Sequence, residues 1–324
     1  MQQGDVSLFL DWLNRILPDK NDQYLLLSYM AHCIKYPGFK IPWCPLLQGA
    51  KGIGKTVIEE VMTHALGAMY VYTPPAPELV KSGSTFNSWM KNKLMIFVDE
   101  IKIDERRELA EILKPLISQH RVQMQSKGVD QEMEDNPANW MAFSNFKDAI
   151  PIDEDERRYA IFFSNLQTAA EILASGMNKE YFVKLWKWLR EENGKAAIAH
   201  YLYNFPIEKG GLDIRAPKTS SYKEAIRISR SPMEIIIHDC VEDGMPGFRG
   251  GYVSTLAVLS RVKAAGIRAP SSRSLEACLE KMGYILLGRA SRPYIQEDVN
   301  NRTNIYANMS NMDLNAYGAA QGYE

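Results

Sequence analysis

The sequence predicts an α/β fold built on a parallel sheet, and three observations carry that expectation. Gly49-Ala50-Lys51-Gly52-Ile53-Gly54-Lys55-Thr56 is a complete G-x-x-x-x-G-K-[ST] phosphate loop. It stands between a short apolar segment, 43–47, and Val57-Ile58-Glu59-Glu60-Val61-Met62, whose apolar positions have helical spacing. From about residue 41 to 165, apolar runs alternate with helical stretches in the manner of an α/β domain. Finally, the apolar run 94–98 ends in Asp99-Glu100. A buried parallel strand looks like this, and its carboxyl end is where such a sheet places a ligand.

Taken in order, residues 6–35 carry two apolar stripes: Val6, Phe9, Leu10, Leu13, Ile16 and Leu17, then Leu25, Leu26, Tyr29, Met30 and Cys33. The turn Pro18-Asp19-Lys20-Asn21-Asp22 separates them, so the N-terminal segment 1–40 is expected to be a helical hairpin. The central block 41–165 is expected to hold strands over 43–47, 69–73, 94–98, 140–143 and 159–163. Its helices are expected after Thr56, over 85–91 and over 105–118. Helical segments over 169–174, 180–192 and 196–203 lead into a Pro/Gly/Lys-rich connector at 205–221, which together make up 166–230. The tail, 231–324, reads as helices over 233–241, 255–264 and 273–282, then a β-hairpin of 284–287 with 302–307. Three helices followed by a hairpin is a winged-helix pattern. No internal repeat is visible.

Composition bounds the function classes. At 324 residues the chain has room for two or three compact units, and 46% apolar with 24% charged residues is ordinary for a globular protein. A net charge of −1 excludes a uniformly basic nucleic-acid coat, so any such binding must rest on local clusters. Cys33, Cys44, Cys240 and Cys278 are scattered without metal spacing and read as buried thiols of a reducing cytoplasm. Asp5 and Asp11 within an amphipathic pattern do not suit a signal peptide, and no apolar run approaches bilayer-spanning length.

The phosphate loop supplies the first candidate chemistry. Gly49, Gly52 and Gly54 let backbone N–H groups turn toward phosphate oxygens, with a helix N-terminus behind them. Lys55 would reach the β- and γ-phosphates and Thr56 would take a place on Mg²⁺, so a nucleoside triphosphate is the expected ligand. Asp99 would hold the water shell of Mg²⁺ and Glu100 would polarise an attacking water, although two acids in this place also cap a following helix. Asn145 ends the strand 140–143 and is placed to bond the γ-phosphate or orient that water; Asn also forms turns in such positions.

Two further segments are less specific. Asp153-Glu154-Asp155-Glu156-Arg157-Arg158 is either a solvated charge run or an arginine held out toward a neighbouring subunit's phosphate. Arg158, beside the strand, is the first candidate and Arg157 the second. Residues 121–133 alternate apolar and polar on both sides of a Ser126-Lys127-Gly128 tip. Lys127 there is placed either to grip a DNA phosphate or to decorate an ordinary surface hairpin. In the tail, Arg249, Arg261, Lys263, Arg268, Arg273, Lys281, Arg289 and Arg292 are opposed only by Glu276 and Glu280, with Tyr252, Tyr284 and Tyr294 interleaved. That patch suits phosphate tracking and a solvated face equally.

Residues 49–56, then 94–100, then Leu113-Lys114-Pro115-Leu116-Ile117 leading to Lys127, then Phe143-Ser144-Asn145 and Glu156-Arg157-Arg158-Tyr159, follow one another over little more than a hundred positions. The series resembles the superfamily 3 helicases of viruses, phages and plasmids. It is most similar to the phage- and prophage-encoded branch, whose helicase usually lies C-terminal to a primase or primase-polymerase.

The resemblance implies an AAA+-like P-loop NTPase core with a five-stranded parallel sheet, using ATP and Mg²⁺ and assembled as a homo-oligomeric ring, usually a hexamer. It implies Lys55 and Thr56 as phosphate-loop residues, Asp99 and Glu100 as the second acidic motif, and Asn145 as the first sensor. It further implies Lys127 as the DNA-tracking lysine and Arg158 as the arginine finger. Single-stranded or forked DNA is the implied partner, and the cytoplasm of a bacterial host the implied location. Two departures stand out: Gly128 follows the lysine where some relatives carry a second contacting residue, and no primase segment precedes residue 1, as expected of a free-standing helicase or a fragment. An ATP-switched initiator or loading factor without unwinding activity is the alternative. A small-molecule kinase is disfavoured by Glu100, the arginine pair and the hairpin.

Overall fold

The computed structural model describes residues 2–75, 78–79, 87–99, 106–125, 132–207, 212, 214–289 and 303–308, with the side chains of 106–110 excepted. Glu100, Lys127, Arg292 and Tyr294 lie outside the described residues. The chain divides into two compact units, Met1–Ser229 and Arg230–Glu324.

In the first unit, helices α1 (Ser7–Ile16) and α2 (Lys20–Lys35) are separated by Pro18 and by Asp19, whose carboxylate accepts the Asp22 amide at 2.9 Å and so caps α2. Strand β1 (Cys44–Gln48) leads through the phosphate loop into α3 (Thr56–Leu66). Strands β2 (Val71–Tyr72) and β3 (Met95–Val98), helix α4 (Arg106–Ser118) and the antiparallel pair β4 (Arg121–Met124) and β5 (Glu132–Asp135) follow. Then come β6 (Asn139–Ser144), β7 (Tyr159–Phe163), α5 (Ala169–Ala174), α6 (Lys179–Glu191), α7 (Gly194–Asn204) and α8 (Tyr222–Ser229).

Among the described residues, five strands form one sheet in the order β2-β3-β6-β1-β7, with every neighbouring pair parallel. Strands β1, β3, β6 and β7 are buried at every position. That is why they read as near-continuous apolar runs rather than alternating ones. The period of two still sorts their side chains onto two faces. Leu47, Phe97, Phe143 and Phe162 face a core shared with α1, α2, α3 and the helices α5 to α7. Leu46, Val98, Trp140 and Ile161 face a second core with Leu113 of α4, Val122 of β4 and Ala225 of α8. The segments before and after the sheet therefore share one hydrophobic core with it.

Local differences from the sequence reading have physical causes. The expected strand over 69–73 shrinks to Val71–Tyr72 because Gly67, at φ 95°, starts a 3₁₀ turn over Ala68–Tyr70. In the region expected as a helix over 85–91, the described part is a 3₁₀ turn at Ser88–Met90; Asn92, at φ 62°, then redirects the chain into β3. Helix α8 follows directly on the expected connector, whose end is captured by the sheet: Ser221 Oγ accepts the Phe163 amide at 2.9 Å, and Thr219 Oγ1 donates to the Ile161 carbonyl.

The second unit contains α9 (Pro232–Glu242), β8 (Tyr252–Ser254), α10 (Thr255–Ala264), α11 (Ser272–Lys281), β9 (Tyr284–Arg289) and β10 (Asn304–Asn308). Ser231 and Glu234 form a capping box around Pro232, which starts α9 sharply. Its strands form an antiparallel sheet in the order β8-β10-β9, and Ile237, Val258, Leu279 and Tyr306 join helices and sheet in one core. Strand β8 is too short for its period to show in sequence. Among the described residues, no helix is long and apolar enough to cross a membrane.

Candidate functional site

Chain order and spatial order part at β1: it lies between β6 and β7, while the chain runs on to β2 at the far edge. In such sheets a ligand binds outside the carboxyl end of the strand at that point, and the phosphate loop follows directly from that end of β1. Gly49 continues β1 by donating its amide to the Ser144 carbonyl at 3.2 Å, and Ala50 donates to the Leu166 carbonyl at 2.9 Å. A Cβ on Gly49 would stand 2.4 Å from Ile53 Cδ1 and 2.7 Å from Ser164 Cβ, so the loop closes only with glycine there. Gly52 and Gly54 have φ of 97° and 90°, the left-handed region that favours glycine. Among the described residues their amides have no backbone acceptor, and α3 begins with no side-chain cap. Unsatisfied amides at a helix N-terminus favour an anion.

Lys55 is half-buried; its Nζ donates to the Gly49 carbonyl at 2.8 Å and to Asn145 Oδ1 at 2.6 Å. The structure thus joins two residues ninety positions apart that the sequence singled out separately. Thr56 is exposed at the first turn of α3. Asp99 is exposed one residue beyond β3. Val98 pairs with Ala142, and Ala142 with Leu46, so Asp99 is level with Phe143 and Leu47 on the same edge of the sheet. Thr56 and Asp99 carry oxygen donors of the kind Mg²⁺ takes.

Arg158 and Arg157 lie elsewhere. Both precede β7, whose first residue Tyr159 pairs with Cys44 at the start of β1. The five paired residues of β1 and β7, at about 3.3 Å each, put roughly 15 Å of strand between the arginines and the loop. The Glu156 carboxylate accepts the amides of Arg157 at 2.8 Å and Arg158 at 2.6 Å. Arg157 is exposed; Arg158 is half-buried, and its Nε is buried with no hydrogen-bond partner.

Several residues at the site carried little signal. Gln48 is fully buried; it donates to Gln167 Oε1 at 2.8 Å and to the Asn145 carbonyl at 3.3 Å, and it receives Gln167 Nε2 at 3.0 Å. This amide pair holds the turn that carries Asn145, and the one visible clue is a glutamine ending an apolar strand. The indole Nε1 of Trp12 donates to the Ile53 carbonyl at 2.7 Å, and it lies 2.9 Å from where a Gly54 Cβ would be. Helix α1 therefore props the loop from outside, though Trp12 reads only as one more core residue. On the same helix Asp11 accepts Arg15 Nε at 2.8 Å and the Tyr181 hydroxyl at 2.9 Å, tying α1 to α6. The Arg15 hydrogen bond holds the Asp11 carboxyl below its usual range, while burial and the bond to Asp11 push the Tyr181 phenol up.

Residues 47–158, about a third of the chain, match the family model described as a family of unknown function, DUF5906. A search of curated proteins by sequence returns no match. Among solved structures, the apo NrS-1 C-terminal region (305–718) is similar with a TM-score of 0.64 at 14% identity, covering 95% of this chain and 76% of that one. The A-form apo structure of the same region gives 0.64 at 12% identity, covering 94% and 76%. The X-ray structure of JCV helicase is matched at a TM-score of 0.37 and 11% identity, covering 74% and 64%, a likeness too low to argue from. The chain shares the fold of the NrS-1 region.

Proposed function

We propose that this chain is an ATP-hydrolysing DNA helicase of the superfamily 3 type, which assembles as a ring, usually a hexamer, in the replication of a phage or mobile element. The observation that carries this reading is the Lys55–Asn145 contact at the carboxyl edge of the sheet, above the uncapped start of α3. It joins a phosphate-binding lysine to an amide fit to sense the γ-phosphate. Gly52, Gly54 and Lys55 would cradle the phosphates, and Thr56 and Asp99 would hold Mg²⁺, which supplies charge neutralisation of the phosphate oxygens when bound. Asn145, positioned by Gln48 and Gln167, would orient the attacking water, and Glu100 would take its proton.

The place of Arg158 supports assembly. Roughly 15 Å of strand separates it from its own loop, so a phosphate contact requires a second copy, with Arg157 as the substitute donor. Lys127 would contact one DNA strand within the ring. The order helix, strand, helix, helix, strand, strand in the second unit supports a winged-helix module. Its exposed Arg261, Lys263, Arg268, Arg273 and Arg289 suit a DNA phosphate track, whereas Arg249 and Lys281 bond within the unit. A primase or primase-polymerase is the natural partner.

The test is ATP hydrolysis per protomer against protein concentration, with and without single-stranded DNA, together with strand separation on a forked duplex. A rate that rises steeply with concentration and with DNA, accompanied by unwinding, is expected. A flat, DNA-indifferent rate without unwinding would replace the helicase with an ATP-switched initiator or loading factor.

A further inference from the structure

The 3₁₀ turn at Ser88–Met90 is bonded to the hairpin β4–β5 through the residue that starts it. Asn87, half-buried there, donates Nδ2 to the Gln123 carbonyl at 2.7 Å, and its Oδ1 accepts the Gln125 amide at 3.0 Å. A carbonyl and an amide spaced by two residues are what the neighbouring strand of a parallel pair would bond. Here a single side-chain amide takes that place beside β4, which it can do because it carries a donor and an acceptor at once. Gln125 is the last described residue before the hairpin tip.

The other ties sit lower on the hairpin. Val122 and Met124 are buried in the second core, which Met90 of the turn also enters. Lys91 pairs with Glu134 of β5 at 2.5 Å, a largely exposed contact that adds little. At the base, Asn136 Nδ2 donates to the Leu116 and Gln119 carbonyls at 2.7 and 2.9 Å. Lys40 Nζ donates to the Leu116 and Ala138 carbonyls at 3.0 and 2.7 Å. These contacts fix where the hairpin stands, whereas Asn87 acts at the end next to the tip. Lys127 follows Gln125 by two positions, at most about 7 Å of chain.

We propose that Asn87 is a positioning residue for DNA binding: it holds the Gln125 end of the hairpin so that Lys127 is presented to the strand. The inference rests on the reading of Lys127 given above and names what would orient that lysine. Fixing the backbone beside a contacting residue removes part of the ordering cost when the partner binds. The charge of Lys127 then supplies its phosphate contact without that cost. Because the turn leads into β3, the same amide ties the hairpin to the strand that carries Asp99 at its far end.

The test is a double-mutant cycle of Asn87→Ala and Lys127→Ala. It is read by oligo(dT) binding with a non-hydrolysable ATP analogue and by ATP hydrolysis without DNA. Asn87→Ala is expected to weaken oligo(dT) binding about fivefold, the scale of one hydrogen bond, with DNA-free hydrolysis within about twofold of wild type. Asn87→Asp is expected to do no better, since a carboxylate can accept the Gln125 amide but sets a charge against the Gln123 carbonyl. Added to Lys127→Ala, Asn87→Ala is expected to cost nothing further, because a lysine already removed cannot be misplaced. Additive losses, or an Asn87→Ala variant that binds like wild type, overturn the positioning role and leave Lys127 standing. Loss of DNA-free hydrolysis by Asn87→Ala overturns it too, by assigning Asn87 to the stability of the fold. Oligo(dT) binding unchanged by Lys127→Ala removes the Lys127 reading and this inference with it.

Discussion

At the carboxyl edge of the parallel sheet, the polar groups are tied together within the chain. Lys55 bonds Gly49 and Asn145, Gln48 and Gln167 bond each other, and Trp12 bonds the loop carbonyl of Ile53. At the amino edge Lys40 donates to the Leu116 and Ala138 carbonyls, and Asn139 accepts the Ile41 amide and donates to the Phe39 carbonyl, but the arginine side chains are not tied in the same way. Arg157 is exposed, Arg158 Nε is buried without a partner, and Tyr36, Phe39 and Met69, in segments leading into strands, are 49%, 68% and 70% exposed. A buried charged donor without a partner is costly. The contrast teaches that one edge is preorganised for an anion, whereas the other holds a buried guanidinium Nε with no hydrogen-bond partner among the described residues.

The largest expected effect comes from breaking both edges in separate chains. Lys55→Ala and Arg158→Ala should each lower ATP turnover by about 10³-fold, the scale of losing a phosphate-clamping cation or an arginine finger. A mixture of the two should recover turnover that neither has alone, since sites formed by an intact loop and an intact arginine reappear. If the mixture stays silent while Arg158→Ala alone is impaired, the arginine acts within its own chain and the contrast between the edges fails. Arg157→Ala should stay close to wild type.

A second separation concerns work rather than chemistry. Lys127→Ala should keep basal ATP hydrolysis within about twofold and lose unwinding by tenfold or more, because a phosphate contact on DNA supplies binding to the track and not to the nucleotide. Normal unwinding by that variant would remove Lys127 from the DNA path.

The preorganised edge is tested more gently through Trp12. Trp12→Phe keeps the apolar ring in the core and deletes the indole donor, leaving the Ile53 carbonyl unsatisfied. A buried hydrogen bond of this kind contributes about 1–1.5 kcal/mol, so nucleotide Kd should rise about tenfold. Calorimetric titration with ATP checks it; an unchanged Kd would mean the glycines alone hold the loop.

The parts of the fold and site that were legible in sequence are those whose signal is local. The phosphate loop and the buried strands each announce themselves within a few residues, because backbone turns and two-sided burial constrain residue type directly. What stayed hidden depends on contacts across long chain separations. Trp12 sits in an apolar stripe indistinguishable from ordinary core, and its role appears only when α1 meets Gly54. Gln48 and Gln167 lie 119 positions apart, and neither is informative alone. Helix α8 starts just past the connector read from composition, where Ser221 and Thr219 are captured by β7 rather than by their own segment.

The smallest effect tests whether α1 acts as one rigid prop. Asp11 ties α1 to α6 through Arg15 and Tyr181, and its side chain is 42% exposed, so solvent screens the pair. The Arg15 hydrogen bond lowers its carboxyl pKa from 3.8. A carboxylate lowered on folding stabilises the fold above its unfolded value and loses that contribution as pH falls through the folded one. Asp11→Asn should therefore cost about 0.5 kcal/mol at neutral pH, read as a small drop in the urea midpoint, and the gap to wild type should close as pH falls below 3.8. Nucleotide Kd should move less than threefold, because the Trp12 bond to Ile53 does not pass through Asp11. A tenfold loss of affinity instead, equal to that of Trp12→Phe, would show that the loop is held by the position of the whole helix, with α6 as its second anchor.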